Sequence, residues 1–346
     1  MHSFDTTAPP AVSVVMPVYN AAAHLAAALD SLLAQTFAEF ELIALDDAST
    51  DGSDALLAAY AARDARLQVV RGERNAGVIA RLNQGFELAR GRYLARMDAD
   101  DICMPERLAR QVALLDAQPG VAVCGSWVAT FGDAPARVER YPIADAAIRC
   151  ELLFRNVLAH PACMLRAAIV RREALRYDSA FEHAEDYAMW LRLAKHGALA
   201  NIPEVLLRYR VHAAQIGQRQ RAAQNAAAAR VRVLLLRALG LEPSAAEQTA
   251  HEALSTARFT PTRALVAAAD AWLQRMLAAN QRAGTYAEPE LRRAIGRRWY
   301  TLCRLSAALG PWVWWQFQRS PLRGAAEVDL ARQAMFLLKS LARSPN

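Results

Sequence analysis

The sequence lacks the cysteine pattern of a disulfide-stabilised or zinc-binding protein. Its five cysteines are scattered, odd in number and form no Cys-x-x-Cys pair, so neither a disulfide framework nor a zinc site is expected. Residues 1–10 lack the basic and apolar regions of a secretory signal, which predicts a cytoplasmic protein. The longest apolar stretch late in the chain, residues 305–318, is interrupted by Gly310 and Pro311 and is too short to span a bilayer.

Three common phosphate- or ion-binding motifs are also missing. No Gly-x-Gly-x-x-Gly follows the first predicted strand, and no Walker-type Gly-Lys-Ser/Thr occurs. The acidic segment at residues 98–101 is not followed by the glycine and terminal glutamate of an EF-hand. We therefore expect any phosphate ligand to be held through a metal ion.

The composition indicates a globular chain with two differently charged parts. Its 346 residues, 54% of them hydrophobic, suffice for two domains or for one domain with a large appendage. Residues 1–215 carry 22 Lys and Arg against 26 Asp and Glu, whereas residues 216–346 carry 19 against 8. Either the two parts have different partners, or arginine solubilises an alanine-rich helical region.

Hydrophobic patterning predicts strands that alternate with helices through the first hundred residues. Such alternation is typical of an α/β fold with a doubly wound, mainly parallel sheet and right-handed crossovers. The predicted strands are Val12–Met16, Glu41–Leu45, Leu67–Arg71 and one beginning at Tyr93, and the predicted helices are Ala21–Ala34 with Asn20 as its N-cap, Asp54–Ala62 and one from Asn75 to about Ala89.

Polar clusters follow three of these strands. They are Pro17–Asn20, Asp46–Asp47 and Asp98–Asp101, and ligands of such sheets bind beyond the carboxyl ends of the strands. Because side chains alternate along a strand, Asp98 and Asp100 are expected to point the same way. Paired carboxylates predict a hard divalent cation such as Mg²⁺ or Mn²⁺, with phosphate as its further partner.

Five segments, in this order, resemble the motifs of family 2 glycosyltransferases with the GT-A fold. The resemblance covers roughly residues 11–215, leaving residues 1–10 as a flexible N-terminus and residues 216–346 as a basic helical region. The segments are Ser13–Asn20, Gln35–Phe37, Leu45–Ser53, Asn75–Gly77 and Met97–Asp101.

The resemblance implies an inverting transferase in cell-surface polysaccharide synthesis. It would use a nucleotide diphosphate sugar, Mn²⁺ or Mg²⁺, and a hydroxyl of a glycan or lipid-linked acceptor. A UDP-sugar is favoured because uracil has an N–H group that can donate a hydrogen bond to a carboxylate such as that of Asp47. Asp46 and Asp51 are expected to cap or support their loop. By similarity the donor-binding residues are Pro17, Tyr19, Asn20, Asp47, Arg81, Asn83 and Asp98, and the metal ligands are Asp98, Asp100 and His212.

A second acidic pair, Glu185–Asp186, opens a helix whose apolar residues can pack inward. Acids at a helix N-terminus can be simple partners of the helix dipole, but in this fold the pair resembles the family's catalytic base motif. Asp186 is the expected base, and Glu185 would orient the acceptor or cap the helix. His160, in a His-Pro pair, either contacts the acceptor or is structural.

Helical spacing continues beyond residue 216. The aromatic residues of the stretch at 305–318, followed by Arg319 and Arg323, suit an anionic membrane surface, a packed aromatic core or a dimer interface in a homo-oligomer. The protein would then be cytoplasmic or peripheral on the cytoplasmic face of the membrane. No nucleic-acid partner is expected.

Two rival functions fit parts of the pattern. The first is a non-catalytic protein that binds nucleotide sugars or glycans on the same scaffold, which the retained Asp100, Asp186 and His212 argue against. The second is a phosphoryl-transfer enzyme with an aspartate nucleophile, which would carry its Asp-x-Asp after the first strand. Here that strand ends in Pro17.

Overall fold

A computed structural model describes residues 9–212 and 220–342. The chain forms two compact units, one of Met1–Asp145 and Leu158–Ala227, the other of Ala146–Val157 and Ala228–Asn346. The segment 146–157 thus belongs to the same unit as the C-terminal helices. The division predicted from the sequence places this segment in the domain 11–215 instead. The predicted boundary at residues 215/216 lies outside the described residues, as does most of the predicted flexible N-terminus at 1–10.

The N-terminal unit is built on one sheet. Its strands are β1 (Val12–Val18), β2 (Phe40–Asp46), β3 (Leu67–Arg71), β4 (Tyr93–Arg96), β5 (Ile102–Cys103), β6 (Val121–Gly132), β7 (Arg137–Glu139), β8 (Met164–Arg166) and β9 (Ala198–Val211). Their order is β3-β2-β1-β4-β8-β6-β9-β5, with β7 paired to β6. β1 is parallel to β2 and β4, β2 to β3, and β6 to β9, whereas β8 runs antiparallel to β4 and β6.

Helices connect these strands and form the C-terminal unit. β1 and β2 are almost wholly buried, as expected for apolar strands covered on both faces. The predicted class, an α/β fold with a mainly parallel sheet and a helical C-terminal region, is confirmed. The helices are α1 (Ala22–Leu33), α2 (Ser53–Ala61), α3 (Val78–Leu88), α4 (Arg107–Ala117), α5 (Asp145–Leu152), α6 (Ala167–Arg172), α7 (Glu185–Leu193), α8 (Arg221–Ala238), α9 (Ala245–Thr256), α10 (Arg263–Ala283), α11 (Glu288–Leu305), α12 (Pro311–Arg319) and α13 (Leu330–Ala342).

The start of α1 corrects one prediction. Asn20 is not the N-cap, which is Ala21 and has no side-chain capping bond. Asn20 instead has a positive φ of 47°, and its Oδ1 accepts from the Thr50 N–H at 2.8 Å. Asp51 satisfies the helix end, because its Oδ2 accepts from the Ala22 N–H at 2.9 Å. The supporting role predicted for Asp51 is therefore confirmed, and the loop after β2 is fixed against α1.

The aromatic residues of the C-terminal unit pack mainly against one another. Phe317 lies at the centre, with its ring centroid 5.7 Å from Tyr300, 6.2 Å from Trp314 and 5.8 Å from Phe336. Of the three alternatives for this stretch, the packed aromatic core is thus present, although Trp315 stays 56% exposed. Across residues 9–212 and 220–342, no helix has the length and apolarity that crossing a membrane requires.

Candidate active site

Three carboxylates meet just beyond the end of β4. The strand stops at Arg96, and residues 98–101, here called the acidic turn, curve back on themselves. Asp98 and Asp100 come together as predicted, although a turn directs them and strand alternation does not. The turn also gathers Asp101, and the oxygens of all three residues lie within 4.8 Å of one another. We had not predicted Asp101 as a site residue, although its place directly after Asp-x-Asp was a usable signal.

The end of β9 closes over this turn. β5 pairs antiparallel with β9, matching Ile102 to Arg208, so the residues after Arg208 lie beside the carboxylates. Arg210 donates from its backbone N–H to Asp101 Oδ1 at 2.8 Å and from Nε to the Asp100 carbonyl at 2.7 Å. His212 Nε2 lies 2.9 Å from Asp100 Oδ2. The predicted ligands Asp98, Asp100 and His212 are thus brought together.

The electrostatics of the turn suit a divalent cation. Burial raises the pKa of Asp98, although its ion-pair partner Arg96 opposes the rise. Burial, with the charges of Asp98 and Asp100, raises the pKa of Asp101 well above its usual range. Asp101 Oδ2 is buried without a hydrogen-bond partner among the described residues. Three crowded carboxylates fit Mn²⁺ or Mg²⁺, since a cation stabilises their ionised forms, and a neutral imidazole can complete the ligand set.

Glu185, the first residue of the second acidic pair, lies within the electrostatic reach of the same arginine, Arg96. Glu185 begins α7, its Oε2 is buried without a hydrogen-bond partner in the described part of the chain, and burial raises its pKa against the opposing effects of backbone hydrogen bonds and Arg96. Asp186 Oδ1 accepts from the Tyr187 N–H at 2.7 Å. Buried Arg96 therefore acts on both Asp98 and Glu185, which links two acidic clusters far apart in sequence.

His160 is held by a neighbouring tyrosine. Its Nε2 lies 2.8 Å from Tyr177 Oη, and its ring centroid is 5.9 Å from that of Trp190. Burial, with the charge of Arg96, lowers the pKa of His160 well below its usual range, so the ring is neutral. Asn83, a predicted donor-binding residue, donates to the Tyr177 carbonyl and accepts from the Tyr177 N–H. Asn83 thereby positions the partner of His160.

Asp47 and Arg81, both predicted to bind the donor, form a buried ion pair. Arg81 Nε donates to Asp47 Oδ1 at 2.7 Å, and the N–H groups of Ala76 and Gly77 donate to the two Asp47 oxygens at 2.8 Å. Asp47 thus holds the turn that precedes α3. A carboxylate has about four acceptor positions, and these three bonds leave about one free on Asp47. A hydrogen bond from the N–H of a nucleotide base to Asp47 therefore stays a prediction.

The first loop offers the most accessible of the predicted donor-binding residues. Tyr19 is 53% exposed and Asn20 is also exposed, while Pro17 is partly covered. A further residue was missed: the His24 ring in α1 lies 5.0 Å from that of His212. Burial, Arg210 and His212 lower the pKa of His24. No sequence signal separates this lone histidine from a solvent-exposed one.

Sequence comparisons identify relatives of this chain. Residues 13–176 match the family described as Glycosyl transferase family 2. An uncharacterized glycosyltransferase of Haemophilus influenzae is 30% identical over 64% of this chain and 72% of that protein. The amylovoran biosynthesis glycosyltransferase AmsE of Erwinia amylovora is 29% identical over 60% of this chain and 79% of its own length.

Solved structures share the fold at low sequence identity. S. aureus TarS 1–349 in complex with UDP superposes with a TM-score of 0.55 at 17% identity, over 94% of this chain and 90% of that one. The mannosyltransferase PcManGT of Pyrobaculum calidifontis, in complex with GDP-Man and Mn²⁺, gives a TM-score of 0.50 at 16% identity, over 96% and 86%. The GT-A fold is thereby confirmed. With the family match and the 30% identical relative, the protein is a glycosyltransferase and belongs to family 2.

Proposed function

We propose that this glycosyltransferase moves a sugar from a nucleotide diphosphate sugar, with a UDP-sugar favoured, to a hydroxyl of a glycan or lipid-linked acceptor, with inversion at the anomeric carbon. One observation carries the proposal: the acidic turn and Glu185, the first residue of the second acidic pair, both lie within the electrostatic reach of buried Arg96. The first cluster suits a metal-bound diphosphate, and the second suits proton transfer from an acceptor.

At the donor end, the acidic turn and His212 would hold Mn²⁺ or Mg²⁺. When bound, the ion supplies positive charge that stabilises a leaving diphosphate. Arg210 is already fixed against the turn by two hydrogen bonds and adds a permanent positive charge there. Solved neighbours support the donor class. TarS binds UDP in one structure and UDP-GlcNAc in another, and PcManGT binds GDP-Man and Mn²⁺.

At the acceptor end, Asp186 would act as the general base. It removes the proton of an acceptor hydroxyl as that oxygen attacks the anomeric carbon from the face opposite the diphosphate. The raised pKa of Glu185 favours its neutral carboxyl, which can donate a hydrogen bond to the acceptor, whereas a base must be ionised. A neutral Glu185 suits the orienting role, and we therefore assign the base to Asp186, with His160 as an acceptor contact.

Named relatives and the distribution of charge support the acceptor class and the location. AmsE and the succinoglycan biosynthesis protein ExoO of Rhizobium meliloti, 32% identical over 54% of its length, support a role in polysaccharide synthesis. The excess of basic residues in 216–346 supports attachment to the cytoplasmic face of an anionic membrane, where lipid-linked acceptors are presented.

A ligand screen followed by product analysis tests this function. UDP- and GDP-sugars are tested by thermal shift with and without Mn²⁺, because a ligand at about 100 times its Kd stabilises the folded state by about 2.7 kcal/mol. The best donor is then used for transfer, and NMR of the product reports the anomer. Inversion is expected. Retention of configuration, or the absence of stabilisation by every nucleotide sugar with Mn²⁺, would contradict the proposal.

A further inference from the structure

The outward face of α13 is apolar although it is more than half exposed. Leu330, Met335, Leu338 and Leu341 are 81%, 56%, 65% and 52% exposed. With about 3.6 residues per turn they fall on one side of the helix, opposite the buried Phe336. We call these four residues the α13 stripe. The helix contains no acidic residue, and its charged residues, Arg332 and Lys339, are both basic.

A basic cavity borders the stripe. It has a volume of about 480 Å³ and lies between α11, α13 and residues 326–328. Four cationic side chains line it together with Met335 of the stripe, and its one acidic lining residue, Glu327, is paired with Arg293 at 2.9 Å. The cationic residues are Arg297, Arg304, Arg332 and Lys339.

Two of these cations have no counter-ion among the residues that the structure describes. Arg297 pairs with Glu151 at 2.8 Å and Arg332 with Asp329 at 3.3 Å, but within residues 9–212 and 220–342 no ion pair involves Arg304 or Lys339. The cavity therefore carries uncompensated positive charge. Its volume falls in the range of about 300–1,000 Å³ that is typical of small-molecule pockets, which is enough for a lipid phosphate group.

We propose that α13 lies in the surface of an anionic bilayer, with the stripe in the headgroup–acyl boundary and a lipid phosphate in the cavity. Helices with one apolar face and basic flanks bind membranes in this way. A second copy of the chain is the less suitable occupant, because joining two stripes would bring two basic cavities together. The surface supplies the residues for the membrane attachment in the proposed function, and it can be tested separately from donor binding.

Vesicle co-sedimentation of the full chain tests this surface. Vesicles of phosphatidylcholine alone are compared with vesicles that also contain phosphatidylglycerol, at low and high salt. We expect binding to the anionic vesicles only, weakened by salt. The double variants Met335→Ser/Leu338→Ser and Arg304→Gln/Lys339→Gln should each bind at least tenfold more weakly. Matched exposed controls on other helices, Leu234→Ser and Arg282→Gln, should bind as the wild type does.

Two further measurements separate the outcomes. Calorimetry with UDP should give the same affinity in both double variants, so that a failure of donor binding is seen independently of the membrane result. Sedimentation velocity reports self-association. The proposal is overturned if both double variants bind vesicles like the wild type, if phosphatidylcholine binds equally well, or if the wild type ignores vesicles and instead forms a dimer that Met335→Ser/Leu338→Ser abolishes.

Discussion

Acidification should destabilise the C-terminal unit through one buried histidine, His251 in α9. The Trp272 indole N–H donates to His251 Nδ1 at 3.1 Å, and His251 Nε2 lies 2.9 Å from the Leu153 carbonyl, to which it donates. Both ring nitrogens are therefore committed in the neutral form. A second proton, on Nδ1, would face an indole N–H that can only donate. Burial, assisted by the charge of Arg232, lowers the pKa of His251 to about 3.

The sign and size of the effect follow from the two pKa values. In the unfolded chain His251 titrates near 6.5. Between that pH and the folded pKa, the unfolded state binds a proton that the folded state does not, so stability falls as the pH falls. The slope is about 1.4 kcal/mol per pH unit, which amounts to about 2.7 kcal/mol at two units below the unfolded pKa.

Urea unfolding of the wild type and of His251→Gln, at neutral pH and near pH 4.5, measures this effect. Tryptophan fluorescence reports mainly on the C-terminal unit, which holds five of the seven tryptophans. His251→Gln should cost about 1–2 kcal/mol at neutral pH through weakened hydrogen bonds. It should then lose about 2.7 kcal/mol less than the wild type on acidification. Equal losses in the two proteins would refute the reasoning.

Three other substitutions give distinct results. Arg297 and Arg298 donate to buried Glu151 and, although burial opposes them, lower its pKa. Glu151→Gln should therefore cost about 3 kcal/mol at pH 7 in urea unfolding. This cost should shrink as the pH falls from 4.5 through the lower folded pKa, and a pH-independent cost would argue against the ion pairs. Asp186→Asn should keep UDP affinity and slow turnover about 10²–10⁴-fold, with Glu185→Gln affecting the chemical step less. The reverse pattern would make Glu185 the base, and no effect in either would remove the base mechanism from this site.

The parallel part of the sheet was predictable because its signals are local. Apolar runs ending in polar residues mark strands buried on both faces, and β1 and β2 are such strands. The predicted bounds of the partly exposed edge strand β3, Leu67–Arg71, also agree with the structure. The start of α1 was mispredicted for the opposite reason. Its capping carboxylate comes from Asp51, which lies beyond β2. The N-cap preference of asparagine at position 20 contains no information about that distant partner.

In the site, too, local signals were predictable and distant contacts were not. The predicted Asp98, Asp100 and His212 come together, but the partners of the acidic turn depend on the pairing of β5 with β9, which joins residues about a hundred positions apart. His24 could not be assigned before that pairing was known, whereas Asp101 is adjacent to the Asp-x-Asp motif in the sequence. Strand alternation would have turned Asp101 away from Asp100. The turn after β4 reverses this expectation, since it directs both carboxylates to one point.

The central claim is that the acidic turn binds a nucleotide diphosphate through a divalent ion, and UDP calorimetry tests it most directly. Binding with Mn²⁺ is measured for the wild type, for the wild type in EDTA, for Asp100→Ala and for a surface control, Asp116→Ala, whose carboxylate pairs with Arg92 near the start of β4. The account predicts binding that is lost in EDTA and in Asp100→Ala and kept in Asp116→Ala. Undiminished UDP binding in both EDTA and Asp100→Ala would contradict it.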